Sequence, residues 1–515
     1  MKTCRTLTII TLLLASYISL PAQQQSKEMT SRYFPAPAVE INTPTLSIKE
    51  NRFATCDEIM SWIKDKVAAN KNFSMEYIGI SDKGHNIPMI KISNGKNNPE
   101  KVKVWFQGAL HGNEPAGAEG LFMLMDHLSA KEWDKMLKKM DVYILPIANM
   151  DGYFANTRVS AKGFDLNRDQ TKFNDNTSKI IKRAFIKVNP DVAVDFHEFS
   201  PMKPKVKEIG EKGGSIYYDV VFLPTGYPNI PKVLRNATIN NLQKSAEKAL
   251  DREGYTHHFY FTIDYSGDET ALIKGAKSPQ SSSSSYGLSN AISLLVEIRG
   301  IRLGRLCFER RTHSAYTVAK AILDEVYSKP KQIKEIVNSA LAETIKGETP
   351  IVVKSHSAQT RIPTTFISLA TNELVEYNFP VRDALDFIVD LERERPAAYY
   401  IEESEKYAVE NLQILGVEVE KVGKDHEVTA ESYKVTKYNE SDTVWESIKK
   451  VSVNTEIVKE KIVCKKGGYI VRLNQDNANY AVSVLEPESE NGFVSFRVVE
   501  AKLGEMLPIH RLPRK

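Results

Sequence analysis

Four short apolar runs limit what this chain can fold into. Residues 102–106, 142–147, 192–196 and 292–298 are strand-length stretches rich in valine, isoleucine, leucine and aromatic residues, and each ends at polar or charged residues. Continuous apolar runs of this length suit strands covered on both faces rather than strands with one wet side. Between and ahead of them, 56–69, 116–128 and 176–188 carry apolar residues at helical spacing, and 72–92 holds two β-like runs around the turn Asp82-Lys83-Gly84. Strands alternating with helices predict an α/β sheet with helices on its faces. Ligands in such sheets bind beyond strand ends, so the polar residues that follow the apolar runs are where chemistry is expected.

The 515 residues exceed one average core, and a length prior gives two or three domains. Residues 23–50 are polar and proline-containing and read as an arm, 51–345 as the α/β domain closed by a helical stretch over 313–345, and 350–515 as a β-rich domain. Candidate strands in the last part are 351–354, 414–422, 431–438, 468–473 and 493–499. Residues 279–286, Pro-Gln, five serines and Tyr286, read as a low-complexity mobile loop. Lys2 and Arg5 precede the apolar run TLTIITLLLASYISL and Pro21-Ala22, the pattern of a secretory signal over 1–22 with cleavage after Ala22. No later stretch is long and apolar enough for a membrane helix, so the expectation is an exported, soluble protein, periplasmic or extracellular. The formal charge of +4 falls to +2 without Lys2 and Arg5, and no clustered basic surface points to nucleic acid. Cys56, Cys307 and Cys464 would remain, an odd and scattered set that makes neither a disulfide framework nor a thiolate metal site.

Four segments carry candidate chemistry. Leu110-His111-Gly112-Asn113-Glu114-Pro115 follows the first buried run; a His and a Glu three apart can converge on one ion where a strand turns into a helix, and Pro115 suits the first helical turn. By itself the pair reads more readily as surface or capping chemistry than as a metal site. Asp195-Phe196-His197-Glu198 ends the third run and offers a histidine at a strand tip, whether as a ligand or as a satisfied edge residue. Glu297 lies inside an apolar strand, and a carboxylate is costly to bury unless paired or functional. Arg158 with Asp165-Leu166-Asn167-Arg168 gathers cations and polar groups in one loop after a strand, which alone would pass for a solvated surface.

In this order the segments resemble the zinc carboxypeptidase family, over about residues 50–330. The resemblance implies a mixed central sheet with helices on both faces, a β-rich C-terminal extension, and one Zn²⁺ per chain held by His111, Glu114 and His197. It further implies Glu297 as general base, Arg158 as stabiliser of the oxyanion, and Asn167 and Arg168 as a clamp on the free C-terminal carboxylate of a peptide. Asp165 would accept a hydrogen bond from the distal nitrogen of His111. The segments Leu485-Glu486-Pro487-Glu488 and His510-Arg511-Leu512-Pro513 are similar to extensions of some bacterial members. The chain departs from the family in two places. Asn113 stands where many members have an arginine, and the family's mobile tyrosine has two candidates here, Tyr265 and Tyr286, of which Tyr286 is preferred. Deacylases of small N-acyl amino acids use the same ligand set on this fold and are the alternative reading. A non-catalytic binding protein is a further one, disfavoured because ligands and base are all present.

Overall fold

Whether the four apolar runs neighbour one another decides whether their ends can share a site, and they do. The computed structural model describes residues 25–514; the apolar leader and its flanks lie outside the described residues. The strands β1 (Phe73–Ile80), β2 (Asn86–Ile92), β3 (Val102–Gly108), β4 (Met140–Leu145), β5 (Val192–Phe199), β6 (Val220–Pro224), β7 (His257–Phe259) and β8 (Ile292–Arg299) form one sheet in the order β1-β2-β4-β3-β5-β8-β6-β7. Its centre, β4-β3-β5-β8, is parallel, while β2 runs against β1 and β4, and β6 against β8 but along β7, so the sheet is mixed. The central strands are buried along nearly their whole length, which is why they lack polar alternation.

The helices α1 (Cys56–Ala69), α2 (Pro115–Leu128), α3 (Asn176–Val188), α4 (Ser282–Leu288), α5 (Phe308–Ser328) and α6 (Pro330–Lys346) surround this sheet. Helix α1 begins with a capping box in which Thr55 and Glu58 satisfy each other's free backbone N–H groups. The helical stretch expected over 313–345 is two helices, parted at Lys329-Pro330 because proline cannot continue the α5 ladder. The arm packs on the body through buried Met29 and Phe34, and Phe34 lies under the Arg299 guanidinium.

The expected mobile loop over 279–286 is instead largely helix α4, buried at every position. Its serines are small enough to lie against β8: Ser293 donates to the Ser283 backbone carbonyl, Ser284 pairs with Thr225 and Ser285 with Tyr480, while the Ser282 and Ser283 hydroxyls are buried without a partner. Low complexity was a compositional signal, and the packing overrode it. A second sheet joins Met202–Lys203, Gly214–Ile216, Phe261–Asp264 and Ala271–Lys274 to the long hairpin Ile351–Ser368 and Leu374–Arg393, so it crosses residue 350. A third sheet lies wholly in the C-terminal region and includes the hairpin His426–Trp445 and Ile448–Cys464. Of two strands expected there, one is shortened and one is absent: within 414–422 only Glu420–Lys421 is strand, at the edge of the third sheet, and 493–499 is a run of turns and bends. Among the described residues no helix is long and apolar enough to cross a membrane.

Candidate active site

The ends of β3, β5 and β8 supply the first elements of the site. After β3 the chain passes through Ala109 in the left-handed region (φ 48°) and turns sharply enough to aim His111 over the strand ends. Gly112 lies backbone to backbone on Gly152, so close that an added Cβ would stand 1.9 Å from the Gly152 carbonyl carbon. Glu114 then stands at the N-cap position of α2 without capping it, Pro115 begins the first turn, and the Ala116 N–H donates to Glu198 instead. We expect Gly112→Ala to cost about 3 kcal/mol or more, because neither backbone can yield, and to release the metal loop; thermal unfolding with metal analysis checks both effects.

In β5 and β8 the parallel register sets His197 beside Glu297, so both side chains leave the sheet on one face. Three ligand atoms converge, two from the loop after β3 and one from β5. His111 Nδ1 is 2.9 Å from one Glu114 oxygen, His197 Nδ1 is 3.0 Å from the other, and the two Nδ1 atoms are 3.0 Å apart. The Nε2 atom of each ring meets a carboxylate, Asp165 at 3.0 Å for His111 and Asp195 at 2.8 Å for His197. Those carboxylates hold the ring protons on Nε2 and leave both Nδ1 lone pairs facing each other and Glu114. Lone pairs and a carboxylate so arranged need a cation among them, and two imidazoles with one carboxylate are a zinc donor set. Among the described residues no other group of three His, Cys, Asp or Glu converges in this way.

The electrostatics agree. Burial works against charge on all these groups, but His111 and His197 hold Glu114 well below the usual carboxylate range. Burial likewise opposes protonation of His197, and Asp195 and Glu114 overcome it, raising its pKa well above the ordinary histidine value. A site that draws a proton onto a buried imidazole so strongly also favours a divalent cation. Asp165 is depressed in the same way, against its burial, by His111 and Arg158. Burial and the nearby Glu114 push Glu297 up to about 7, against the pull of His197, His111 and Arg158. One of its oxygens is buried without a partner.

A cavity of about 480 Å³ opens in front of these groups, lined among others by His111, Arg158, Asn167, Arg168 and Glu297. Arg158 reaches Asp165 at 2.9 Å and Glu114 at 3.3 Å. Asn167 lines the cavity and accepts from the Ser282 N–H at 2.7 Å, and among the described residues Arg168 donates only to the neighbouring carbonyl of Asn167. The structure thus brings together every residue expected at the site except one. Tyr286 is fully buried, stacked on Phe185 and donating to Gln107, and is not among the residues that line the cavity, so its expected place against substrate is corrected on that ground. The half-buried tyrosine that does line the cavity is Tyr260, and Tyr265, more exposed, lines it too. Tyr260 lies just before the second-sheet strand that walls the cavity, and no spacing from Glu297 marks it.

The chain matches the model of the zinc carboxypeptidase family over residues 59–209. Carboxypeptidase 2 of Trichophyton rubrum is 31% identical over 479 residues, covering 89% of this chain and 86% of that protein. This protein belongs to the zinc carboxypeptidase family. Carboxypeptidase 2 of Trichophyton equinum is 31% identical over 451 residues, covering 84% of this chain and 81% of that one. A solved metallo-carboxypeptidase from Burkholderia cenocepacia superposes with a TM-score of 0.41 at 17% identity, over 54% of this chain and 70% of its own. The protein is accordingly a metallocarboxypeptidase, a peptide hydrolase, and the match to the first relatives runs on into the C-terminal region.

That region touches the site. The turn of its long hairpin places Glu446 where it accepts from the Asp165 N–H at 3.3 Å. The Lys172 ammonium lies over the rings of Trp445 and Phe496, at 5.0 and 4.3 Å from their centroids. The Lys172 carbonyl accepts from Tyr407 and Asn411 at 2.8 and 2.9 Å. Three separate C-terminal segments therefore brace the loop that carries Asp165, Asn167 and Arg168.

Proposed function

We propose that the protein is an exported carboxypeptidase that removes the C-terminal residue of peptides, with zinc held by His111, Glu114 and His197 and Glu297 as general base. The observation that carries this reading is the pair of facing Nδ1 atoms, each ring fixed from behind by a carboxylate, with Glu297 on the same face. When bound, the ion supplies Lewis acidity to the scissile carbonyl and acidifies a water beside it. Glu297 accepts a proton from that water on its unpaired oxygen and returns it to the departing amine. Burial raises the affinity of Glu297 for that proton, so it can both take and give it near neutral pH. Arg158 donates to the carbonyl oxygen as negative charge develops there, and Asp165 holds the guanidinium for that task. Asn167 and Arg168 take the terminal carboxylate, and among the described residues Arg168 has no acidic partner of its own to release first.

A blocked dipeptide, its C-terminal amide and an N-acetyl amino acid test the assignment on the zinc-loaded enzyme. Losing the terminal charge is expected to lower kcat/KM about 100-fold or more, mostly through KM. The Arg168→Met variant should erase most of the difference between acid and amide. Equal cleavage of acid and amide by the parent enzyme would sink the clamp, and preferred hydrolysis of the acetyl amino acid would favour the deacylase reading. Export rests on the leader over residues 1–22. Mass spectrometry of the secreted protein is expected to find Gln23 at its start, and a mature chain beginning at Met1 contradicts that.

A further inference from the structure

One row of side chains on β8 links the clamp to the base. The pleat sends alternate residues to one face, so Ser293, Leu295 and Glu297 stand in line on the face that carries His197, about 7 Å apart at each step. At one end of the row the Ser293 hydroxyl donates to the Ser283 carbonyl of α4 at 2.6 Å. The adjacent Ser282 N–H donates to Asn167 at 2.7 Å, which ties the clamp to that end. At the other end Glu297 stands beside His197. Leu295 lies between the two and lines the cavity.

Strand β6 widens the row into a floor. Its antiparallel register sets Leu223 opposite Leu295 and Val221 opposite Glu297 without a shift, and residues directly opposite share a face. Both line the cavity, and all three apolar side chains are buried in place by the sheet. On the other side of Leu295, Asp195 of β5 is turned to His197 and does not line the cavity. The chain near the clamp end of the row, with Ser278, Gln280 and Ser281, is neutral. Two carboxylates line the cavity: Glu297 is the base, and Glu198 is taken by Arg311 and the Ala116 N–H. Lys203 enters the lining from the second sheet and not from this row.

A peptide held at Asn167 and Arg168 by its terminal carboxylate, with its scissile bond beside Glu297, spans Leu295 with its last residue. The side chain of that residue, the one released, is therefore what the floor meets. An apolar side chain gains by covering Leu295 and Leu223, whereas a charged one would lose water there without finding a counter-charge. We propose that Leu295 and Leu223 are specificity-determining residues that select a large apolar side chain on the released residue. This deepens the carboxypeptidase reading and rests on its clamp and base. The substrate class is peptides that end in an aliphatic or aromatic residue, not in a basic or acidic one.

Six blocked dipeptides that differ only in the last residue, Leu, Phe, Ala, Asn, Lys or Glu, test it on the zinc-loaded enzyme. The parent is expected to prefer Leu over Ala about 30-fold in kcat/KM, and over Asn, of the same shape, by at least as much, with Lys and Glu lower still. Salt should leave the ratio of Leu to Ala unchanged, since no ion pair carries it. Leu295→Ala and, separately, Leu223→Ala deepen the floor, so the ratio of Phe to Leu should rise severalfold in each. A ratio taken on one enzyme cancels any loss of folded protein or of base strength. A merely structural role for the two leucines would leave it unmoved, which overturns the proposal. So does a parent enzyme that prefers Lys, one that releases Ala as fast as Leu, or one that prefers Glu, as it would if Lys203 faced the released side chain. The parent series needs no variant, so a variant that fails to fold leaves the test standing. An enzyme that cleaves none of the six sinks the carboxypeptidase assignment itself, an outcome separate from cleavage with another preference.

Discussion

Replacing Glu297 with glutamine is expected to lower kcat between about 10²- and 10⁴-fold while the metal content stays at one per chain. The substitution keeps the shape of the side chain and removes its capacity to hold a proton. The carboxylate is not one of the three converging ligands, so metal retention separates loss of the base from loss of the site. The pH profile gives a second readout. The base works only when ionised, so kcat/KM of the parent enzyme falls as pH drops through its pKa. Burial pushes that pKa up to about 7, and a dication beside it pulls it down, so the acid limb of the zinc enzyme should lie below 7. Glu297→Gln should show a flat profile across that window. A variant that matches the parental rate would remove Glu297 from the mechanism.

Removing the ion is expected to have an effect at least as large. Chelation should take peptide hydrolysis down by about 10³-fold or more, since Lewis acidity toward a carbonyl is worth several kcal/mol, and stoichiometric Zn²⁺ should restore it. His197→Ala should not be restored in this way, because one of the two facing Nδ1 atoms is gone. Asp195→Asn is the finer probe. The imidazole stays, but the carboxylate that holds its Nε2 proton at 2.8 Å is lost, and metal affinity should fall about 10- to 100-fold. Equilibrium competition with a chromophoric chelator measures this directly. The zinc-loaded protein should also melt at a higher temperature than the stripped one, because the ion binds only the folded arrangement. Full activity after exhaustive chelation, with no metal left by mass spectrometry, would refute the metal assignment.

Much of the centre was legible because its signals are local. A run of buried strand residues, a turn bearing His111 and Glu114, Pro115 at a helix start and an acid within an apolar strand are each written within a few consecutive positions. Backbone periodicity and the cost of burying charge act over that range, so the order of motifs disclosed the α/β sheet and the family. The serines of 281–285 show where such reading stops. Composition alone made them a loop, and only contact with β8, Thr225 and the C-terminal Tyr480 makes them a buried helix. Tyr286 went astray with them, since a side chain's direction depends on the helix that carries it. Tyr260 enters the cavity from a segment with no motif, and Lys203 from a two-residue strand.

The tail makes the same point over the greatest chain distance. Its sequence shows no ligand cluster, yet Glu446 meets the backbone of Asp165 from 281 positions away. The chain by itself determined which residues could do zinc chemistry and which strands could be buried, because those follow from residue type and near neighbours. Only the tertiary structure decided which tyrosines line the cavity, which leucines lie beside the base, and that the C-terminal hairpin braces the clamp. Those facts depend on packing between segments far apart in sequence, and no local pattern encodes it.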